Sequence, residues 1–191
     1  MNKKRCTWCK DDPLYVAYHD KEWGVPIRDE KLLFEFLVLE GMQAGLSWLT
    51  ILKKRDTFRL AFANFDAEKI AKFDQKKVDS LLNNPGIIRN KLKIISAVEN
   101  AKVFLSLKED GNNFSDYIWH FVDNNPIQNH WQTGSRIPAK TILSDAMSKD
   151  LKKRGFKFVG STICYAFMQA VGMVNDHIID CFRYKEINNK T

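Results

Sequence analysis

The sequence predicts an all-α fold. Apolar residues recur at helical spacing along nearly the whole chain, alternating strand patterns are scarce, and no repeat of fixed period is found. Asp29 is placed to cap a helix on which Leu33, Phe36, Leu37 and then Glu40 share one face. Ser47 opens a second run through Leu49, Leu52, Phe58, Leu60 and Phe62. Asp74 opens a third that ends at Leu81-Leu82, and Pro85-Gly86 breaks the pattern. From Asn90 a longer helix aligns Ile94, Ala97, Val98, Ala101, Phe104 and Leu105 on one stripe. The segment from Phe114 to Val122 carries closely spaced aromatics. Residues 124–141, polar and holding Pro126, Gly134 and Pro138, read as a loop or junction. Helical runs Ile142 to Arg154 and Ser161 to Val171 follow, separated by Gly155-Phe156-Lys157-Phe158-Val159-Gly160, whose Phe156 to Val159 is the nearest approach to a strand. The expectation is roughly eight to ten short helices in one domain over residues 1–191. A helical lobe is expected within 66–125 and a disordered tail over 185–191.

Composition narrows the class. A chain of 191 residues with 45% apolar content can bury a sizeable core, and 9 Gly with 5 Pro are too few for a low-complexity protein. No stretch is apolar enough to span a bilayer, and Met1-Asn2-Lys3-Lys4-Arg5-Cys6 has no apolar run behind it. A cytoplasmic protein without membrane contact is expected. Thirty basic against 23 acidic residues leave a net charge of +7, which favours an anionic partner and nucleic acid above others.

Cysteine and histidine gather at the chain ends. Four cysteines are too few for a disulfide scaffold of this size and read as buried thiols or metal ligands. His177 and Cys181 are four apart, so on a helix both would face one ion. The N-terminal half of such a site is either Cys6 with Cys9, a C-x-x-C, or Cys6 with His19. Two ligands from each end would close a tetrahedral zinc shell with no open position, the mark of a structural ion. His19 and His177 lie 158 positions apart, and metal binding would offset the chain entropy of closing that loop.

Leu151-Lys152-Lys153-Arg154, the glycine-bounded turn and Ser161-Thr162 read as helix, tight turn, helix. Gly155 and Gly160 let backbone approach a ligand closely, and the N–H groups of Ser161 and its successors face outward where an anion is favoured. Lys149, Lys152, Lys153, Arg154 and Lys157 surround the turn. This is the arrangement by which a helix-hairpin-helix holds a DNA strand through backbone donors and diffuse charge. Asn84 to Lys91 has a similar break with nearby bases.

Trp8, Tyr15, Tyr18, Trp23 and Trp48 make the first 48 residues dense in rings on which a base can stack. Glu40 continues an apolar stripe near a helix C-terminus, where the dipole disfavours negative charge; such violations mark functional sites. Gly45 and Leu46 follow, a flexible residue and an apolar one suited to wedging into a base stack.

These residues resemble the bacterial 3-methyladenine DNA glycosylase I family, a branch of the helix-hairpin-helix glycosylases. The matching stretches are Asp12-Pro13-Leu14-Tyr15-Val16-Ala17-Tyr18-His19-Asp20, Glu22-Trp23-Gly24-Val25-Pro26, Leu39-Glu40-Gly41, Gln43-Ala44-Gly45-Leu46-Ser47-Trp48, and Lys152 to Gly160 through Asn175-Asp176-His177. The resemblance implies excision of N3-methyladenine from double-stranded alkylated DNA by a monomer. It implies structural zinc on Cys6, His19, His177 and Cys181. It gives Glu40 the base edge and Tyr18 and Trp48 the pocket walls, with Tyr15 and Trp23 beside them. Gly45, Leu46, Lys153, Gly155, Lys157, Gly160 and Ser161 are then the DNA contacts. The wider superfamily places a catalytic Asp shortly after its hairpin. Here that region reads Val174-Asn175-Asp176-His177, and Asp176, beside an implied ligand, is not assigned the chemistry. The competing class is a non-catalytic, zinc-stabilised nucleic-acid binder, which would need neither Glu40 on an apolar face nor the pocket aromatics.

Overall fold

The computed structural model describes residues 3–188. A 3₁₀ turn, Thr7–Cys9, leads into α1 (Pro13–Lys21), α2 (Glu30–Gln43), α3 (Trp48–Leu52), α4 (Arg55–Ala61), α5 (Ala67–Ile70), α6 (Gln75–Leu82), α7 (Lys91–Glu109) and α8 (Phe114–Trp119). After a two-residue strand β1 (Ile127–Gln128) come α9 (Ile142–Lys153), α10 (Ser161–Ala170), β2 (Val174–Asn175) and α11 (Phe182–Asn188).

The starts of these helices are written in the sequence. Asp29, Ser47, Asp74 and Asn90 each accept a hydrogen bond from the first turn of the helix they precede, as do Asp12, Asp66 and Asn113. Each satisfies a donor that the helix cannot satisfy itself. Thr141 and Ser144 form a reciprocal capping box at α9.

Helix α2 is central. It buries every residue from Leu33 to Met42, so the single stripe expected from its sequence is instead an all-round contact surface. Helices α7 and α10 pack on it. One apolar cluster runs from Cys6 to Cys181, and the expected lobe at 66–125 contributes Ile70, Val78, Ile94, Phe104, Phe114 and Trp119 to it.

The structure departs from expectation at five places. The run from Ser47 to Phe62 is two helices, because the chain turns at Lys53-Lys54, and Leu60, counted on the apolar stripe, is 79% exposed. The strand-like Phe156 to Val159 is a turn, since Phe158 takes a left-handed φ of +54° that breaks extension. The true pairing is parallel, Ile127 with Val174 and Gln128 with Asn175; two residues a side are too short to leave an alternating signature. His177 and Cys181 are not on a helix but on the turn between β2 and α11, closed by Cys181 N–H donating to the Ile178 carbonyl at 2.8 Å. The tail expected to be disordered is helical through 188: Tyr184 and Ile187 are buried, and Phe182 N–H donates to the Lys4 carbonyl at 3.0 Å. The remainder of that tail, 189–191, lies outside the described residues.

Candidate active site and metal centre

A cavity of about 370 Å³ opens between α1, the C-terminal end of α2, α3, the loop at 134–139 and one face of α10. Glu40, Tyr15, Tyr18, Trp23 and Trp48, separated by up to 33 positions, all line it. Glu40 reaches it from the last turn of α2, and Trp48 from the first residue of α3, where Ser47 caps the helix. The rings are locked edge to face or tilted. Trp8 meets Tyr15 and Trp23, each at 4.9 Å between centroids, and Tyr18 meets Trp48 at 5.6 Å.

The polar atoms in this cavity are left open. Among the described residues, five buried side-chain polar atoms have no hydrogen-bond partner, and three belong to the cavity: Glu40 Oε2, Trp8 Nε1 and Trp48 Nε1. Leaving such groups unpaired costs about 1–3 kcal/mol each, so a concentration of them in one cavity marks a place built for a polar ligand. Burial pushes the Glu40 carboxyl up to about 8. The ligand-free carboxyl is therefore mainly protonated at neutral pH, because it is desolvated in a slot of rings. Burial, and secondarily Glu40, also hold the Tyr18 phenol well above its ordinary range, so it remains a neutral hydroxyl.

Trp8, Gln43, Thr162, Tyr165, Ala166, Gln169 and the loop residues Gly134 and Ile137-Pro138-Ala139 complete the lining. Of these, Thr162, Tyr165, Ala166 and Gln169 follow an i, i+3, i+4, i+7 pattern on α10, a polar-tipped stripe on an otherwise apolar helix that the sequence alone could have flagged. Behind it stands Asp176, 1% exposed. Its Oδ1 accepts from Asn129 Nδ2 and Trp131 Nε1, both at 2.7 Å. Its Oδ2 accepts from the Tyr165 hydroxyl at 2.7 Å and Gln169 Nε2 at 2.8 Å. Four neutral donors satisfy one buried anion, which fixes two side chains of the cavity wall.

Next to the cavity, Cys6, His19, His177 and Cys181 are all buried, with their ligand atoms within 4.8 Å of one another. Cys6 Sγ lies 3.5 Å from His177 Nδ1, and Cys181 Sγ lies 3.4 Å from His19 Nε2 and 3.5 Å from His177 Nδ1. Tetrahedral zinc with its usual bond lengths separates its ligands by about 3.3–3.8 Å, so this donor set fits such an ion. The outer ring nitrogens agree: His19 Nδ1 pairs with Asp20 at 2.8 Å and His177 Nε2 with the Trp23 carbonyl at 3.1 Å, leaving the inner nitrogens as ligands. The hydrogen bond between the two thiols, then those from His177 and His19, hold Cys181 low, while the same bond and burial raise Cys6. The alternative C-x-x-C half-site is not assembled: Cys9 stands outside the cluster and donates its thiol to the Cys6 carbonyl at 3.1 Å. The cluster also backs the cavity wall, since His177 packs on Trp23 at 4.6 Å and His19 on Trp8 at 5.4 Å.

The proposed DNA contacts lie apart from the cavity floor. Gly45 (φ +78°) turns the chain out of α2 and leaves Leu46 42% exposed. Lys153 ends α9, and Gly155 takes a φ of +102° that a side chain would resist. Lys157 is exposed, but its backbone N–H is donated to Asn100 Oδ1 at 2.7 Å, leaving the side chain for an outside partner. Gly160 is the N-cap of α10 with no side chain capping the helix, and Ser161 pairs with Ser144 through their hydroxyls at 2.9 Å. No helix among the described residues is long and apolar enough to cross a membrane.

Residues 8–184 match the family model described as methyladenine glycosylase. The chain is 52% identical over 181 residues to DNA-3-methyladenine glycosylase 1 of Escherichia coli, covering 95% of this chain and 97% of that one. It is 51% identical over 177 residues to DNA-3-methyladenine glycosylase of Haemophilus influenzae, covering 93% and 96%. A crystal structure of 3-methyladenine DNA glycosylase I superposes with a TM-score of 0.93 at 52% identity, covering 94% of this chain and 98% of that one.

Proposed function

The chain belongs to the methyladenine glycosylase family, and from that premise we propose that it excises 3-methyladenine from alkylated double-stranded DNA, with Glu40 as the residue that recognises the base. The observation that carries this reading is the partnerless Glu40 Oε2, buried in a cavity walled by indole and phenol rings. A non-catalytic DNA binder has no use for that arrangement.

The chemistry follows from the lesion. Methylation at N3 makes the adenine cationic, so it leaves readily. When the glycosidic bond breaks, its electron pair goes to the base and cancels the charge, while water adds to the sugar carbon and releases a proton. The protein's work is to extrude the nucleotide, at a cost of a few kcal/mol that is least for a damaged base, and to favour the cation over neutral adenine. A cation entering the slot favours the Glu40 carboxylate, which then accepts a charge-assisted hydrogen bond from an N–H on the base edge. Neutral adenine offers no such compensation for a buried charge. Tyr18 and Trp48 bound the stacked base, with Tyr15, Trp23 and Trp8 behind them.

The α9-turn-α10 unit serves as a helix-hairpin-helix. Gly155, Gly160 and the open N–H groups from Ser161 onward approach a phosphate, and Lys153 and Lys157 add charge. Leu46, presented by Gly45, fills the stack vacated by the flipped base. Cys6, His19, His177 and Cys181 hold structural zinc, which supplies a cross-link between the chain ends and no open coordination position. The pocket and the ligand set are completed within one chain, which suits a monomer, and its reduced thiols suit the cytoplasm.

The test is release of base from methylated duplex DNA, with the product identified chromatographically. Liberated 3-methyladenine, lost on Glu40→Gln in a protein of unchanged fold, supports the reading. Equal release by that variant removes Glu40 from the role.

A further inference from the structure

Two buried polar side chains of α7 are used for nothing within that helix. Lys93, 7% exposed, donates Nζ to the Met42 carbonyl at 2.9 Å and to the Ala44 carbonyl at 2.6 Å, in the last turn of α2 and at its C-cap, just before Gly45 and Leu46. Asn100, 3% exposed, donates Nδ2 to the Lys157 carbonyl at 3.0 Å and accepts from the Lys157 N–H at 2.7 Å. Lys93 thus grips the segment that presents Leu46, and Asn100 grips the turn between α9 and α10 by both polar groups of one peptide position.

The two are seven residues apart, two turns of one continuous helix, or about 10.5 Å of rise. The turn has two further close contacts. A Cβ on Gly155 would lie 3.3 Å from Val103 Cγ2, one turn beyond Asn100 on α7. A Cβ on Gly41, next to Glu40, would lie 3.2 Å from Phe158 Cβ. Burying an ammonium and an amide is costly unless their bonds are specific, and an apolar residue would serve at either position if packing were all that was required.

We propose that Lys93 and Asn100 are positioning residues for excision from duplex DNA: with α7 as a rigid spacer, they fix the distance and orientation between the wedge at Leu46 and the phosphate-holding turn at 155–160. The proposal rests on the DNA-facing reading of those two segments. Both must engage one duplex at once while the lesion enters the cavity. A displacement of about 1 Å between parts of a reacting assembly can cost on the order of a hundredfold in rate.

The experiment compares excision of the same lesion from duplex and from single-stranded oligonucleotide, using Lys93→Met and Asn100→Leu, with thermal midpoints and affinity for free 3-methyladenine measured alongside. A single strand needs no wedge and follows the phosphate turn without a fixed register. The expected result is a drop of about tenfold or more in kcat/KM on duplex, while single-strand excision and free-base affinity stay within about twofold. The double variant should be little worse than the poorer single one, because either change already loses the register. Parallel loss on both substrates, or no loss on either, overturns the proposal. Should an apolar variant fail to fold, Lys93→Arg and Asn100→Asp, which each keep part of the bonding, are read by the same criterion. Leu46→Ala serves as reference. If it does not selectively impair duplex excision, it is the DNA-facing reading that fails; if it does and the α7 variants do not, it is the spacer.

Discussion

A carboxyl group held in a cavity with one oxygen unpartnered is costly for folding, and the cost has a definite pH signature. The Glu40 carboxyl stands at about 8 in the fold because of burial, against about 4.3 in an unfolded chain. The folded state therefore holds its proton more tightly. The stability of the neutral form is fully present below about 4.3 and is lost as pH rises through about 8. Glu40→Gln, which cannot ionise, should remove that slope: its thermal midpoint should match the parent at pH 4 and exceed it at pH 8.5, read by calorimetry at the two pH values. Catalysis should run the opposite way. A permanently cationic lesion prefers the carboxylate, so kcat/KM should rise as pH increases through about 8, while Glu40→Gln loses about 10–100-fold, the worth of one charge-assisted bond. A flat profile in the parent protein would break the link between the buried acid and the charged base. Asp176 makes the contrasting case, an acid whose four acceptor sites are all filled by donors. In Asp176→Asn an NH₂ group must face two of those donors, and a loss of about 3 kcal/mol is expected in denaturant unfolding.

Among the elements, the turn between α9 and α10 carries the clearest division between backbone and side-chain roles. The Lys157 amide is occupied by Asn100, so what Lys157 offers a duplex is its exposed ammonium alone. Lys157→Ala should accordingly weaken binding to methylated and unmethylated DNA by the same factor and reduce the slope of log K against log salt by about 1. A loss confined to lesion-bearing DNA would place Lys157 at the base instead. This turn was legible in the sequence because its signals are local: glycines at 155 and 160, bases around them, an apolar run after. Helix starts were legible for the same reason, since Asp29, Ser47, Asp74 and Asn90 act within their own first turn. Glu40 stood out by violating an apolar stripe, and the aromatics by density. What stayed hidden is set by tertiary closure. The loop at 134–139 becomes a cavity wall only when it folds over α10. The Asp176 shell draws donors from 129, 131, 165 and 169. His177 and Cys181 reach one site through a turn, so their four-residue spacing predicted the right pair for a helical reason that does not apply.

At the scale of the whole molecule, the chain ends meet where the cavity wall needs support. Cys181 lies beside His19 across 162 residues of sequence. Lys4 with Asp180 and the Lys4 carbonyl with Phe182 N–H close the same seam without a metal. The ion pair is exposed and worth at most about 1 kcal/mol, so the ligand cluster is the strong part of the closure. Fixing a loop of this length restricts the unfolded chain by about 5 kcal/mol on the entropic account, and for a domain of this size each kcal/mol moves the thermal midpoint by about 2–4 °C. The protein as purified should then contain one zinc per chain by elemental analysis. Stripping it with a strong chelator, or Cys181→Ser, should lower the midpoint by about 10–20 °C. Because Trp8 and Trp23 lean on His19 and His177, the metal-free protein below its new midpoint should also bind free 3-methyladenine more weakly, with restoration on adding zinc. The two readouts separate the roles. A lowered midpoint with unchanged base affinity would mean that the ion fastens the ends without shaping the pocket. An unchanged midpoint would mean that the Lys4–Asp180 ion pair and the backbone bond from Phe182 N–H to the Lys4 carbonyl hold the ends together unaided.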